Sequence, residues 1–301
     1  MMMKRLASNA EDVAHHYNTR RELGTVGRLH TPITGLRLFN NWIKSLLIRK
    51  YASQGCRVLD LGCGKGGDLR KWNLSRIAEY VGMDIASVSV SQAQARYREL
   101  YNPTFTARFF AQDCYGASLL FCEPLEKTLQ PPDYMADVIS AQFCLHYAFE
   151  TEDKARQMMR NISGHLVDDG RFICTIPNAN CKKRRAAGRE FGNALYQVKF
   201  FGDEITRFGT AYSFTLDEAV EDCTEYLVHM PTFVQLAAEH GLELEDCCGL
   251  HHMYAEHRRY HDSVELLRSM RVVDNDRPAI SPDEWEAIGI YLAVVFRKVK
   301  R

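Results

Sequence analysis

The stretch RVLDLGCGKGGDLRKW, residues 57–72, constrains this chain more than any other. Val58, Leu59 and Leu61 form a short apolar run, Gly62, Gly64 and Gly67 satisfy the spacing GxGxxG, and a helix start follows. A strand, a glycine-rich turn and a helix in that order can bring backbone close to a nucleotide. The spacing by itself is shared by several cofactor classes. A P-loop needs Gly-Lys-Ser/Thr, and here Lys65 is followed by Gly66, which counts against a triphosphate cradle of that kind.

The acids around the turn narrow the choice. A dinucleotide site sets its pyrophosphate on the helix N-terminus. Asp60 ends the first strand and Asp68 opens the helix, and these charges repel a pyrophosphate while suiting a cofactor that carries an ammonium and a sulfonium. S-adenosylmethionine (AdoMet) is that cofactor. Asp84 closes the second strand, 22 residues after Gly62, where a carboxylate can accept both ribose hydroxyls; that placement also fits NAD. Asp113 closes the third strand in FFAQD, where an acid can take an adenine amino group. Acids at three successive strand ends favour a methyltransferase over an NAD dehydrogenase.

The rest of the chain supplies the matching architecture. CRVLDLG, EYVGMDI, TARFFAQD, ADVISAQF, GRFICTIP and a final GIYLAVVFRK read as strands, with helical patterns between several of them. Alternation of this kind predicts an α/β fold, a doubly wound, mostly parallel, Rossmann-like sheet. Leu36, Phe39, Ile43, Leu46 and Leu47 share one helical face, and so do Ala155, Met158, Met159, Ile162 and Leu166 in a helix over 151–166 that Thr151 can cap. A further helix is expected over 231–240. Residues 1–30 are polar with little periodicity and are expected to be partly flexible. Residues 31–301 are expected to form one domain, with an insertion or lid at about 178–220 after the fifth strand and the sheet pattern resuming at TEYLVHM.

Bulk properties exclude some classes. Lys plus Arg equal Asp plus Glu at 38 each, so no overall basic field exists for non-specific duplex or membrane binding, although a local basic pocket remains open. Ten cysteines without a CxxC pair, behind an N-terminus lacking a signal-peptide core, predict a reducing compartment and no membrane anchor. In HHMYAEHRRYH, His257 and His261 are four apart but lack an acidic or cysteine partner at a recognised spacing, so no metal is expected. KKRR at 182–185 reads first as a solvated face and otherwise as an RNA-contacting edge or a nuclear localisation signal, and the sequence does not decide between them.

VAHHYN, LRLFNNWIKSLLI, VLDLGCGKGGDLRKW, DIASVSVSQAQARY, AQDCYG, SAQFCLHYAFE, TEYLV and EWEAIGIYLAVVFRK together resemble the eukaryotic mRNA cap guanine-N7 methyltransferases, from about residue 13 to residue 298. FNNWIKS and QFCLHYAFE are much more specific than the glycine turn. The resemblance implies the class I AdoMet-dependent methyltransferase fold and, as substrate, the GpppN end of 5′-capped RNA. It puts Lys44, Gly62, Asp68, Asp84, Asp113, Gln142 and Tyr147 around the methyl donor. It puts Asn40, Asn41, Lys65, Lys71, Arg96, Tyr115, His146, Glu225 and Tyr291 on the cap side, with Glu225 accepting the guanine N1 and N2 protons. It also implies a nuclear location and, as partners, the capping guanylyltransferase and the RNA polymerase II machinery. A non-catalytic cap-binding subunit on the same fold, or another AdoMet-dependent methyltransferase, is the alternative.

The chemistry agrees with the absence of a recognisable base. Guanine N7 has a free lone pair and no proton to remove, so orientation can carry the rate, an effect worth up to roughly 7–11 kcal/mol in well-aligned systems. His146 is expected to act as a donor to the cap, and the faces of Tyr115 or Tyr147 to stabilise the methylated, cationic guanine by roughly 0.5–2 kcal/mol.

Overall fold

The computed structural model describes residues 9–19, 31–119, 134–179, 188–274 and 277–300, so the KKRR segment lies outside the described residues. Five strands form on the apolar runs: β1 (Arg57–Leu61), β2 (Glu79–Asp84), β3 (Thr106–Ala111), β4 (Ala136–Gln142) and β5 (Leu166–Pro177). β1 pairs with β2 and β4, β2 with β3, and β4 with β5, all in parallel. The chain then leaves for β6 (Glu190–Gly192), β7 (Tyr196–Phe200), β8 (Ala211–Leu216) and β9 (Val220–Tyr226), a separate antiparallel sheet in that order. It returns with β10 (Leu242–Gly249), makes a short hairpin of β11 (Val273–Asp274) and β12 (Arg277–Pro278), and closes with β13 (Tyr291–Lys298).

β13 runs antiparallel between β5 and β10, giving a seven-stranded order β10-β13-β5-β4-β1-β2-β3. Succession runs outward in both directions from β1 and β4, so the carboxyl ends of these two strands flank the crevice in which open α/β sheets hold ligands. Gly62 and Phe143 follow them directly.

Helices cover both faces because neighbouring strand residues point opposite ways. Val58 packs with one layer: α2 (Thr34–Tyr51), α3 (Leu69–Leu74) and α4 (Ser87–Arg98), through Phe39, Trp42, Ile43, Trp72 and Tyr97. Leu59 packs with the other: α5 (Glu152–His165) and α6 (Met230–Glu239), through Met158, Met159, Ile162 and Phe233. Both predicted stripes are buried, and Thr151 caps α5 by accepting from Lys154 N at 3.2 Å. α7 (Leu250–His257), α8 (His261–Ser269) and α9 (Pro282–Ile288) complete the first layer. No helix among the described residues is long and apolar enough to cross a membrane.

Three features differ from the sequence expectation. The polar segment before residue 31 contains a helix, α1 (Asn9–Thr19), whose Val13 is buried. TEYLV does not resume the main sheet: Thr224, Glu225 and Tyr226 pair with Ser213, Tyr212 and Ala211 of β8. The chain returns to the main sheet first with β10, which alternation did not reveal because Glu243, Leu244 and Glu245 are exposed in succession and the register with β13 shifts between Leu244 and Asp246.

The start of α2 shows how distant segments are joined. Its N-cap residue, Ile33, supplies no side-chain acceptor. Glu284, buried in α9, does so instead: Oε1 accepts from Leu36 N at 2.9 Å and Oε2 from Ser281 N at 2.8 Å, closing a capping box with Ser281. Glu284→Ala leaves two backbone donors without these bonds and is expected to destabilise the fold by about 2–4 kcal/mol in urea titrations, whereas Glu284→Gln, which keeps one acceptor, should lose less than half of that.

Candidate active site

The glycine turn shapes the site. Gly62, Gly64 and Gly66 have φ of +72°, +53° and +71°, a region that residues with a Cβ enter only at a cost. A Cβ on Gly62 would lie 2.6 Å from Cys144 Sγ, and one on Gly66 would meet Leu69 at 2.7 Å and Ala93 at 3.1 Å. Gly67, the third glycine of the GxGxxG spacing, has no positive φ and open space around it. The turn therefore needs Gly66 for close packing on α4, and the motif's formal match at Gly67 is not what the fold uses.

Beside the turn, Asp68 sits between two lysines. Lys44 Nζ of α2 lies 2.8 Å from Oδ1 and 2.9 Å from Oδ2, and Lys71 Nζ of α3 is 2.6 Å from Oδ1. Lys71 also donates to Asn41 Oδ1 at 2.9 Å. Burial works to raise the Asp68 pKa, but the two ammonium groups outweigh it and hold the carboxyl well below the usual range. The negative charge assigned to the donor from sequence is thus already neutralised within the protein. Asp60, buried beneath, accepts from Tyr80 OH at 2.8 Å.

A cavity of about 210 Å³ opens at the carboxyl ends of β1, β2 and β4. It is bordered by Gly62, Gly64, Asp84, Asp113, Tyr115, Gln142 and Tyr147, all sequence candidates, but not by Lys44 or Asp68. Asp84 Oδ2 accepts from Gly64 N and Oδ1 from Ala86 N, each at 2.9 Å; burial raises its pKa. Asp113 Oδ1 accepts from Tyr115 N and Gly116 N, each at 2.9 Å. Each carboxylate retains lone pairs for a ligand. Gln142 is oriented by Thr175, whose hydroxyl donates to Oε1 at 3.3 Å.

Sequence reasoning missed the roof and part of the wall. Ala10, Val13 and Tyr17 of α1 border the cavity, with Tyr17 OH 3.4 Å from Tyr147 OH. Asn18 Oδ1 accepts from Val88 N at 3.0 Å and so fastens α1 to the first turn of α4. Ile85, Ser89, Cys114, Phe143, Cys144, Glu150 and Lys154 add to the wall. The residue VAHHYN offered as a signal was Tyr17 itself, an aromatic in a polar run.

A second, buried cluster adjoins this wall. Glu225 Oε2 accepts from Tyr212 OH at 2.6 Å, and Glu225 Oε1 lies 3.4 Å from His146 Nε2 without hydrogen-bond alignment. Neither ring nitrogen of His146 has a hydrogen-bond partner among the described residues, and Asn40 Oδ1 is likewise buried without one. Tyr291 packs edge-on against Phe143, with centroids 5.1 Å apart, and its phenol pKa is pushed up first by burial and then by Glu225. Tyr147 OH reaches Cys223 Sγ at 3.4 Å. The structure thus brings His146, Tyr147, Glu225 and Tyr291 together, while Asn41 and Lys71 belong to the Asp68 network; Lys65 lies in the turn and Arg96 in the last turn of α4. Tyr115 belongs with the donor cavity, its hydroxyl 3.1 Å from Cys144 Sγ. Away from the site, His261 forms an exposed group with Asp262 and Glu265, its two ring nitrogens each 3.7 Å from a different carboxylate; His257 is not in it.

This fold is that of the AdoMet-dependent methyltransferases. A solved structure of an S-adenosylmethionine-dependent methyltransferase from Clostridium acetobutylicum superposes over 96% of this chain and 99% of its own with a TM-score of 0.51 at 12% identity. The CcbJ methyltransferase of Streptomyces caelestis does so over 98% and 99%, with a TM-score of 0.54 at 13% identity. The chain belongs to the mRNA (guanine-N(7))-methyltransferase domain family, whose profile matches residues 1–299. It is 44% identical to an mRNA cap guanine-N(7) methyltransferase of Cryptococcus neoformans over 95% of this chain and 41% of that one. The corresponding protein of Schizosaccharomyces pombe is 42% identical over 96% and 83%, and one from Arabidopsis thaliana 39% over 96% and 81%. The chain therefore spans less than half the length of the Cryptococcus relative.

Two predictions test this geometry. Gly66→Ala forces a Cβ into Leu69 and Ala93 at positive φ and is expected to cost more than about 1 kcal/mol in thermal unfolding, while Gly67→Ala should leave stability within about 0.5 kcal/mol. Equal losses would show that the turn does not depend on Gly66. Burial, with the charge of Asp68 adding to it, raises Asp60 to about 7 against hydrogen bonds from Tyr80 and Ser140. The folded chain then keeps a proton that the unfolded chain releases near pH 3.9, so this contribution to stability is lost as pH rises toward 7 and is level above it. Measured against Asp60→Asn, the native chain should lose roughly 1–3 kcal/mol between pH 5 and 8; a pH-independent difference would mean that Asp60 titrates as an ordinary carboxylate.

Proposed function

We propose that this chain transfers the methyl group of AdoMet to N7 of the guanine at the GpppN end of capped RNA, giving m7GpppN-RNA and S-adenosylhomocysteine. One observation carries the choice of chemistry. Among the described residues, those bordering the cavity include three carboxylates, Asp84, Asp113 and Glu150, and a single cation, Lys154, which is itself paired with Glu150. Such a lining disfavours a nucleotide phosphate and fits a nucleoside bearing a sulfonium and an ammonium. AdoMet supplies an activated methyl on a cationic sulfur.

The protein's own residues do the rest by holding and excluding. Asp84 accepts the ribose hydroxyls, Asp113 the adenine amino group, and Gln142 and Tyr147 border the methyl end. Glu225 receives N1–H and N2–H of guanine, a donor pair adenine does not offer, and its bond from Tyr212 fixes the carboxylate before guanine arrives. The unpartnered nitrogens of His146 and the unpartnered Asn40 Oδ1 supply polar capacity that a bound cap can use. Because N7 needs no deprotonation, the phenols of Tyr115, Tyr147 and Tyr291, whose pKa values burial pushes up, serve as neutral donors and ring faces and not as bases.

We further propose that the reaction takes place in the nucleus, alongside the capping guanylyltransferase and the RNA polymerase II machinery; imaging of the tagged chain and co-purification from nuclear extract test this. The activity itself is tested by incubation with labelled AdoMet and GpppA, nuclease digestion and chromatography of the cap. Glu225→Gln preserves shape but sets a donor against a donor, and cap methylation should fall at least about 30-fold, equivalent to roughly 2 kcal/mol, with AdoMet affinity within about threefold of wild type. Inosine-capped IpppA, lacking N2, should react more slowly than GpppA. Equal rates would remove Glu225 from guanine recognition.

A further inference from the structure

Outside the cavity, α3, α4 and the loop beyond α4 form a surface unlike the chain as a whole. The chain is neutral, with 38 basic and 38 acidic residues, so attraction for a polyanion has to be local. Residues 65–104 contain six Lys/Arg (65, 70, 71, 76, 96 and 98) and four Asp/Glu (68, 79, 84 and 99). Three of those acids are engaged inside the protein: Asp68 by Lys44 and Lys71, Glu79 by Arg108, and Asp84 by two backbone N–H groups. Glu99 alone remains as an exposed carboxylate, whereas Arg70, Arg76 and Arg98 are exposed and make no ion pair among the described residues.

The two helices also define a direction. Gly66, just ahead of α3, is pressed against Ala93 in the middle of α4, and in the loop beyond α4 Thr104 N donates to Asn73 Oδ1 near the end of α3 at 2.8 Å, so α3 lies alongside the second half of α4 and that loop. Their inner faces share one apolar core through Leu69, Trp72 and Tyr97, which leaves the outer faces as one surface leading away from the site. The 12 residues of α4 make it about 18 Å long. At the far end the loop holds up Tyr101, 95% exposed, beside the end of α3, where Leu74 is 81% exposed. Neither side chain contributes to the core. An exposed aromatic at the end of an arginine row is what a single strand uses: phosphates neutralised by cations and bases stacked on a ring.

We propose that this face carries the first nucleotides of the RNA body beyond the cap, with phosphates on Arg70 and Arg98 and a base stacked on Tyr101. The length accommodates about five stacked nucleotides at roughly 3.4 Å each. The proposal rests on the cap-methylation reading for which end of the RNA enters the site. Nucleic acid is favoured over an acidic protein because the most exposed group on the face is an aromatic ring rather than a further cation.

The test compares GpppA with a GpppA-capped single-stranded 10-mer as methyl acceptors, and measures binding of the uncapped 10-mer by fluorescence anisotropy, in the wild type, Tyr101→Ala and the double variant Arg70→Glu/Arg98→Glu. All three positions are exposed, and thermal unfolding with AdoMet affinity checks that each variant is folded. For the wild type, KM for the 10-mer should be at least tenfold below that for GpppA. The double variant should lose most of that advantage, Tyr101→Ala about fivefold of it, and both should lose affinity for uncapped RNA by similar factors with GpppA kinetics unchanged. If GpppA is not methylated at all, the functional reading fails, and the face is judged by the uncapped RNA alone. An advantage retained in both variants, or uncapped binding that none of the substitutions weakens, overturns the proposal. So does selective loss of poly-glutamate binding in the double variant with RNA binding intact, which reassigns the face to an acidic protein.

Discussion

The carboxylate of Asp68, clasped by Lys44 and Lys71, is the interaction on which the site's geometry depends. It lies at the point where the glycine turn becomes α3, and its partners come from α2 and α3, so a single charge fixes two helices against the turn. All three side chains are largely shielded from water, at 11–16% exposure. Deleting one member of such a group leaves a shielded charge without its partner, a larger loss than the group's net contribution to stability. Two ammoniums on one carboxylate also leave a surplus positive charge, which lies outside the donor cavity. Asp60 beneath them, raised to about 7, adds its full opposing charge only above neutral pH.

This arrangement separates two electrostatic environments within a few residues of sequence. Among the described residues the charges bordering the cavity are mainly carboxylates, whereas those along α3 and α4 are Lys and Arg. The proposed reaction, between a cationic donor and a polyanionic capped RNA, asks for that division, since each partner is attracted to its own compartment and repelled from the other. The glycine turn is the boundary. Its three positive φ angles let backbone, not side chains, separate the two, and Asp84 closes it by accepting from Gly64 N.

Much of this was legible in the sequence because the signals were local. Strands β1 to β5 and β13 announced themselves as apolar runs, and the stripes of α2 and α5 as a 3.6-residue period. What stayed hidden depended on partners far away in the chain. TEYLV alternates correctly for a strand, but alternation cannot say which sheet receives it, and it is the register with β8 that turns Glu225 inward to Tyr212. α1 has too few apolar residues to show a face; Val13 and Tyr17 find their apolar surroundings only across the cavity. Lys44 and Lys71 were assigned to opposite sides of the site because nothing in their spacing shows that they share one carboxylate. Gly67 matched a motif by count, while the turn itself selected Gly66 by sterics.

The thiols in and around the cavity bring the same physics to a chemical question. Cys114 and Cys144 border the space in which an electrophilic methyl sulfonium would sit, and Cys63 lies in the adjoining turn. A thiolate there would be a competing nucleophile. Burial pushes Cys144 up to about 12, although the hydroxyl of Tyr115 pulls it the other way, and pushes Cys63 and Cys114 well above the ordinary thiol range; the carboxylates of Asp60 and Asp84 add to this for Cys144 and Cys63, and those of Asp84 and Asp113 for Cys114. The groups therefore remain protonated at any physiological pH and act as small apolar walls. Exclusion of water strengthens the electrostatic hold on a cationic donor, and it is the same exclusion that keeps these sulfurs from reacting with it. An acceptor compatible with these surroundings is one that reacts without first losing a proton, the property that sets the proposed guanine N7 apart from the thiols, hydroxyls and phenols around it.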